Sequence, residues 1–492
     1  MALERCVKFT AMANLTNITN TTNANMVARS LASVWHPCTQ MKHHEQFPLV
    51  PIQRGEGAWL IDYEGKRYLD AVSSWWVNLF GHANPRINAA LKAQLDQLEH
   101  AMLAGFTHEP AIELSERLST LTGLGHAFYG SDGASAVEIA LKMSFHYWRN
   151  LGKPGKQKFV SLEGSYHGET LGALAVTDVA IFRDAYGPLL NNNLRVSFPG
   201  MPQTAIGTGI LGHHAPRYPS LLPFGGAPLQ GGEACCPECT VDASAALERL
   251  FADCADEIAA FIVEPLVQGA AGMRMYHPAY LQKARELCTQ YGVHFIADEI
   301  MTGFGRTGTM FGCEQAGIKP DFMCLSKGMT GGYLPLSCAL TTDEIYAAFY
   351  HDDTARAFLH SHSYTGSALA CRAALATLDI FASDEVIHKN QTKAQRWIEL
   401  SQPLIAHPRV KNFRHVGMIF AFEVEGRHPQ SAPSATFARE FFALGLQRGV
   451  LLRPIGNTVY FMPPYIVEDD EFKWLVAQTI SMIEQSVLKS QS

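Results

Sequence analysis

No stretch of 18 apolar residues occurs in this chain. Its longest hydrophobic segments are broken by Asn78, Glu264 or glycine, so no membrane-spanning helix is expected. A basic surplus is also missing. Lysines and arginines number 39 against 46 aspartates and glutamates, a net charge of −7, which argues against nucleic acid or an anionic membrane as partner. Nor are the cysteines arranged in pairs. There are eleven, an odd number, and Cys288, Cys313, Cys324, Cys338 and Cys371 stand singly in apolar segments, the pattern of small buried hydrophobes in a reducing, cytoplasmic compartment. The one cluster, Cys235, Cys236 and Cys239, has no second C-x-x-C to complete a four-ligand zinc site, and His213 and His214 are the nearest further ligands. No metal is expected there.

The first 30 residues show no helical or strand period. They are rich in Asn and Thr, carry three basic residues and have no continuous apolar stretch, so they read as a disordered extension and not as a secretory signal. Organelle targeting, or initiation at Met26, stays open.

What is present is the composition of a globular enzyme, 47% apolar and 17% charged over 492 residues, long enough for two or three domains. "GAWLIDYEGKRYLDAVSSWW" alternates as a hairpin turning near Asp62, Glu64 and Gly65. Beyond it, "PRINAALKAQLDQLEHAM" and "PAIELSERLSTL" have helical spacing, and "KFVSLEG", "IAAFIVEPL", "VHFIADEI" and "DFMCLSK" are short β-rich runs. That alternation predicts an α/β architecture with a mostly parallel sheet covered by helices. Residues 195–242, full of Gly and Pro, read as a surface insertion. "MIFAFEVEG", "GVLLRPIG" and "TVYFMPPYI", followed by an amphipathic helix, predict a smaller α+β domain. The expected division is 1–30 extension, 31–85 joining the small domain, 86–375 large domain and 376–492 small domain.

"HFIADEIMTGFGRTG" contains a G-x-G-x-x-G in Gly303, Gly305 and Gly308. A dinucleotide fingerprint needs a crossover helix after it, and "TMFGCEQAGIKPD" is too interrupted to supply one. More informative is Asp298, at the end of an apolar run. Lys327 follows another such run and precedes Gly328, Gly331 and Gly332. A lysine so placed is a loop residue, the partner of an acid, or an amine held for covalent work. Upstream, Ser131, Gly133, Ala134 and Ser135 open a periodic helix, either as a plain N-cap or as a phosphate cradle of free N–H groups. An amine, an acid and a phosphate cradle together are what pyridoxal 5′-phosphate demands.

With "VEPLVQG", "ADEIMTGFGRTG" and "LSKGMTGG", the chain resembles the class III pyridoxal-phosphate aminotransferases of fold type I. In that family GFGRTG is a structural loop beside the cofactor. "VWHPCTQM", "SSWW", "GMRMYHP" and "RPIGNTVYFMPPY" resemble the biotin-pathway branch of the class, whose members pass an amino group from S-adenosylmethionine to 8-amino-7-oxononanoate. The similarity runs from about residue 31 to the end, apart from the insertion. It implies that Lys327 carries the cofactor covalently and shuttles the proton, that Asp298 holds the ring nitrogen and that Tyr166 stacks on the ring. It implies further that Gly133 and Ala134 hold the phosphate, and that His362 and Ser363 reach it from the second subunit of a homodimer. Trp75, Tyr166, Lys327, Ser361, Arg453 and Cys38 would line the substrate site, an apolar wall with a guanidinium suiting a long acceptor that ends in a carboxylate. Without the resemblance, Trp75 and Trp76 read as core and Arg453 as a surface ion pair. Other ω-amine or lysine-dependent transaminases, and a binding protein without turnover, are the alternatives.

The chain departs from the family pattern in three places. Met301 stands where many members have Gln, Cys38 where some have a substrate-contacting Tyr, and Ala134 where a Ser is common. The last departure leaves Ser131 or Ser135 to supply the missing hydroxyl.

Overall fold

The computed structural model describes residues 22–47, 49–199, 237–426 and 436–488. The side chains of the cysteine cluster, His213 and His214 lie outside that range, as do residues 1–21 and most of the expected insertion. Among the described residues no helix is long and apolar enough to cross a membrane.

At the centre is a seven-stranded sheet in the order His126–Gly130, Ser337–Thr341, Phe322–Leu325, His294–Asp298, Ile258–Val263, Lys158–Leu162, Leu194–Val196. The middle strands are buried on both faces, which is why their sequences are continuous apolar runs and not alternating ones. They pair in parallel, and only Ser337–Thr341 runs against both of its neighbours. The sheet is therefore mostly parallel, the α/β arrangement of a fold type I transferase. Sequence periodicity missed the two strands at one side of the sheet. It also missed Leu194–Val196, which pairs with Val160–Leu162 at the other edge where the insertion was expected to begin. The helix Pro237–Cys254 occupies the expected end of that insertion.

A second group of elements comes from the C-terminal residues. Val410–Val416, Ile419–Val424 and Thr458–Phe461 form an antiparallel sheet. Against it lie Val386–Leu400 and Asp469–Leu488, joined by Trp397 stacked on Phe472 with ring centroids 4.0 Å apart. Val450–Leu451 does not join these strands as its sequence neighbourhood suggested. It pairs in parallel with Leu69–Asp70 at the end of the N-terminal sheet Ile52–Glu56, Trp59–Asp62, Arg67–Asp70. The left-handed Gly449 allows this, its carbonyl accepting the Leu69 N–H at 2.8 Å. The boundary drawn at 375/376 falls inside one continuous helix, Ala368–Asp384.

Two further expectations need correction. Residues 23–33, most of them in the extension expected to be disordered, are an amphipathic helix. Its first turn is capped by Thr22 and fastened to the hairpin turn, with Asn23 Nδ2 3.0 Å from Asp62 Oδ2, so tertiary contacts supply what propensity does not. The helix expected over "PRINAALKAQLDQLEHAM" stops at Leu95.

Candidate active site

The C-terminal ends of the parallel strands converge on one cavity of about 720 Å³. Tyr166 follows Lys158–Leu162, Glu264 follows Ile258–Val263, Asp298 ends its strand, and Lys327 lies just beyond Phe322–Leu325. This is where open α/β sheets bind ligands, because side chains leaving strand ends face a crevice that no helix fills. No crossover helix follows GFGRTG, only the short turn Gly312–Ala316, so the dinucleotide reading fails.

Lys327 has a left-handed backbone, φ 40°, and its ammonium has no hydrogen bond or ion pair among the described residues. Burial lowers its pKa, opposed by the carboxylates of Asp298 and Glu264. Desolvation thus favours the neutral, nucleophilic amine. Its Nζ lies 5.4 Å from the Trp76 ring centroid. Asp298 is buried with Oδ2 2.7 Å from His167 Nδ1, and its Oδ1 accepts the Ile300 N–H. Because a carboxylate only accepts, the His167 Nδ1–H is the donor. His167 Nε2 is buried with no partner among the described residues.

Glu264 closes the same wall. Its two oxygens accept the N–H groups of Tyr166 and Gly269, each at 3.0 Å. Burial pushes its pKa up to about 7, Asp298 adds to the rise, and His167 opposes it. The Tyr166 hydroxyl donates to Glu169 at 2.9 Å, and burial raises its pKa further. Met301 and Trp76 both flank Gly269, where a Cβ would meet each at 3.0–3.2 Å.

At the other end of the cavity the helix Gly133–Asn150 begins. Asp132 caps it by accepting the Ser135 N–H and hydroxyl, so Ser135 is committed and the N–H groups of Gly133 and Ala134 are left without partners among the described residues. A Cβ on Gly133 would come 3.0 Å from Ile300. Ser131 lines the cavity and is bonded to His362 Nε2 at 3.2 Å. Ser361, His362 and Ser363 do not themselves line it. Ser361 and Ser363 are exposed.

Trp75, Arg453 and Cys38, three of the residues expected at the substrate site, meet beside this cavity. Ser73, Ser74, Trp75 and Trp76 all have positive φ, between 47° and 74°, forming a single left-handed helical turn that costs roughly 1–2 kcal/mol per residue. Trp75 is 41% exposed, which excludes the core reading. The Arg453 guanidinium lies over its ring at 4.4 Å and donates to the Cys38 carbonyl at 3.4 Å. Cys38 is near enough to Tyr166 to contribute to its raised pKa. Trp76 is buried instead. It donates Nε1–H to the Tyr460 hydroxyl at 3.1 Å and presents its ring to Lys327. Arg306 of GFGRTG is buried and fastens this region by donating to the carbonyls of Pro463 and Asn78, each at 2.9 Å, with its guanidinium over Tyr465.

The free amides at a helix start, the unpaired amine and the anchored buried carboxylate fit pyridoxal phosphate. Comparison with known proteins agrees. The class III aminotransferase family matches residues 39–483. The chain belongs to the class III aminotransferases. Adenosylmethionine-8-amino-7-oxononanoate aminotransferase of Helicobacter pylori is 45% identical over 94% of this chain and 98% of its own length. The enzyme of that name from Geobacter sulfurreducens is 40% identical over 90% and 94%. The crystal structure of the Methanocaldococcus jannaschii enzyme of that name superposes with a TM-score of 0.83 at 34% identity, covering 94% of this chain and 99% of that one. An omega transaminase from Pseudomonas jessenii, in complex with PMP, also gives 0.83, at 27% identity over 94% and 98%. This aminotransferase is accordingly a fold type I, pyridoxal-phosphate-dependent enzyme. Sequence reasoning missed His167, Glu264, Glu169 and Trp76 as parts of the site. For His167 and Glu169 the available signal was adjacency to Tyr166, and for Glu264 it was an acid directly after a fully apolar strand.

Proposed function

We propose that this aminotransferase takes an amino group from S-adenosylmethionine and delivers it to 8-amino-7-oxononanoate, giving 7,8-diaminononanoate in biotin biosynthesis. The names of its relatives support this reading, and one observation carries it: Arg453 stacked on Trp75 beside the Lys327 cavity. An aliphatic acceptor with a terminal carboxylate needs an apolar wall that ends in a fixed guanidinium.

When bound, pyridoxal phosphate supplies an electron-poor ring that stabilises negative charge at the carbon bearing the amine. The Gly133 and Ala134 amides, with the helix dipole behind them, hold the phosphate. Asp298, oriented by His167, keeps the ring nitrogen protonated. Lys327 would supply the amine for the covalent link and would hold and move a proton at Nζ. Tyr166 covers the ring, while Trp76 and Met301 exclude water. Cys38 borders the substrate. Ser363 and His362 serve the phosphate of the partner subunit, making the enzyme a homodimer with its sites at the interface. It works in the cytoplasm, without metal, on small molecules alone, and the division into a large domain and a smaller one, joined by the N-terminal segment, is part of the same reading.

The donor is tested by following each half-reaction at the cofactor's absorption bands. S-adenosylmethionine should convert the cofactor to its amine form, and 8-amino-7-oxononanoate should convert it back. Conversion by lysine or a simple ω-amine, with none by S-adenosylmethionine, would overturn the assignment in favour of another class III activity.

A further inference from the structure

The left-handed turn Ser73–Trp76 is the most strained segment beside the site, and none of its residues is glycine. It is not a distortion at random. Trp76 N–H donates to Val72 O at 2.8 Å and Val77 N–H to Ser73 O at 2.9 Å, closing successive turns of the opposite hand to an ordinary helix. That hand sends Trp75 toward Arg453 and Trp76 toward Lys327 and Tyr460. What holds the turn is a carboxylate that is 0% exposed, Asp70. Its Oδ1 accepts the Ser74 N–H at 2.8 Å. Its Oδ2 accepts the Ser74 hydroxyl at 2.7 Å and lies 3.0 Å from His82 Nε2. His82 then accepts at Nδ1 from the Asn78 amide at 3.2 Å, and Asn78 Oδ1 accepts the Gly81 N–H at 2.7 Å.

Asp70 is the last residue of the strand Arg67–Asp70, and its own N–H donates to Ala58 at 2.9 Å, so the sheet fixes where the carboxylate sits. The turn in turn abuts the lysine loop. A Cβ on Gly332 would come within 2.9 Å of the Asn78 backbone.

We propose that Asp70 is a positioning residue for substrate recognition, which holds the Ser73–Trp76 turn left-handed and thereby places Trp75 under Arg453 and Trp76 beside Lys327. It touches neither substrate nor cofactor. The inference rests on the reading of Trp75 and Arg453 as the acceptor site, but not on the identity of the acceptor.

Glycine adopts positive φ at little cost, whereas a β-branched residue resists it. Position 74 therefore separates the turn's hand from its hydrogen bonds. Four variants of the full chain are compared: Asp70→Asn, Ser74→Val, Ser74→Gly and the double variant Asp70→Asn with Ser74→Gly. Near-ultraviolet circular dichroism of the apoenzyme reads the Trp76–Tyr460 pair, whose ring centroids are 6.2 Å apart. Steady-state kinetics read KM and kcat with any carboxylate-ended acceptor that is turned over. Asp70→Asn and Ser74→Val should lose the aromatic signal and raise acceptor KM about tenfold as Trp75 leaves Arg453, with a smaller fall in kcat as Trp76 leaves Lys327. Ser74→Gly should resemble the wild type, and in the Asp70→Asn background it should restore most of the KM and the signal. An unchanged KM and signal in Ser74→Val, or no recovery in the double variant, overturns the proposal. If Asp70→Asn does not fold, the Ser74 pair decides alone. An error in the assigned acceptor would alter the wild-type KM but not the apoenzyme signal or the pattern across variants.

Discussion

His167 Nδ1 lies 2.7 Å from Asp298 Oδ2, and both side chains are buried. The carboxylate that faces the cavity is therefore not free to turn. One oxygen is held by an imidazole and the other by the Ile300 N–H.

Removing the imidazole should leave Asp298 poorly oriented. A hydrogen bond to a charged group is worth about 1.5–3 kcal/mol, so His167→Ala should slow turnover by about one to two orders of magnitude. His167→Gln, which can still donate one N–H, should keep more of the rate. Single-turnover kinetics at saturating cofactor measure this, and a His167→Ala enzyme with the wild-type rate would detach the imidazole from the chemistry.

Arg453 is expected to bind the acceptor's carboxylate. Arg453→Ala should lower kcat/KM by about one to two orders of magnitude, the loss of a charge-assisted bidentate pair. Lysine at this position should rescue only part, since a point charge lacks the planar fork. A neutral ester of the acceptor should be poor for the wild type yet barely worse for Arg453→Ala. Equal losses for acid and ester would make Arg453 structural.

Glu264 should make the apoenzyme's stability depend on pH. Burial raises its pKa in the folded chain to about 7 from the ordinary 4.5. Between those values the folded state holds a proton that the unfolded state has released, so stability falls as pH rises through that window. The change is up to roughly 3 kcal/mol. Urea midpoints taken at pH 5 and pH 7.5 should differ more for the wild type than for Glu264→Gln. Parallel profiles would show that Glu264 does not titrate there.

Lys327→Ala should bind cofactor without the covalent link and lose nearly all turnover. Mixed and re-equilibrated with an impaired Ser363 variant, it should regain some activity, because one site of each heterodimer then has both residues intact. Mixtures that never exceed either parent would place Ser363 outside the neighbouring site.

The sequence by itself determined the sheet's middle and which polar groups its strands deliver to the cavity. Strands buried on both faces must be apolar throughout, so Ile258–Val263 and His294–Asp298 were legible, and the polar residues just beyond such strands had to emerge into a crevice. Asp298 and Lys327 were found that way, and Gly133 and Ala134 through the helix they open. Only the tertiary structure decided which residues hold them. His167 and Asp298 are 131 positions apart, and no local pattern records a hydrogen bond across that distance. Val450–Leu451 pairs with the N-terminal hairpin because its register is set by strands from the other end of the chain. The turn Ser73–Trp76 is the sharpest case. Four residues that individually favour the right-handed region are held in the left-handed one by a buried carboxylate, a bond to the Met462 carbonyl and the Arg306 guanidinium below them. Local propensity pointed the other way, and it was overridden by a buried carboxylate four residues away together with long-range bonds to Met462 and Arg306, whose partners are buried where no water can replace them.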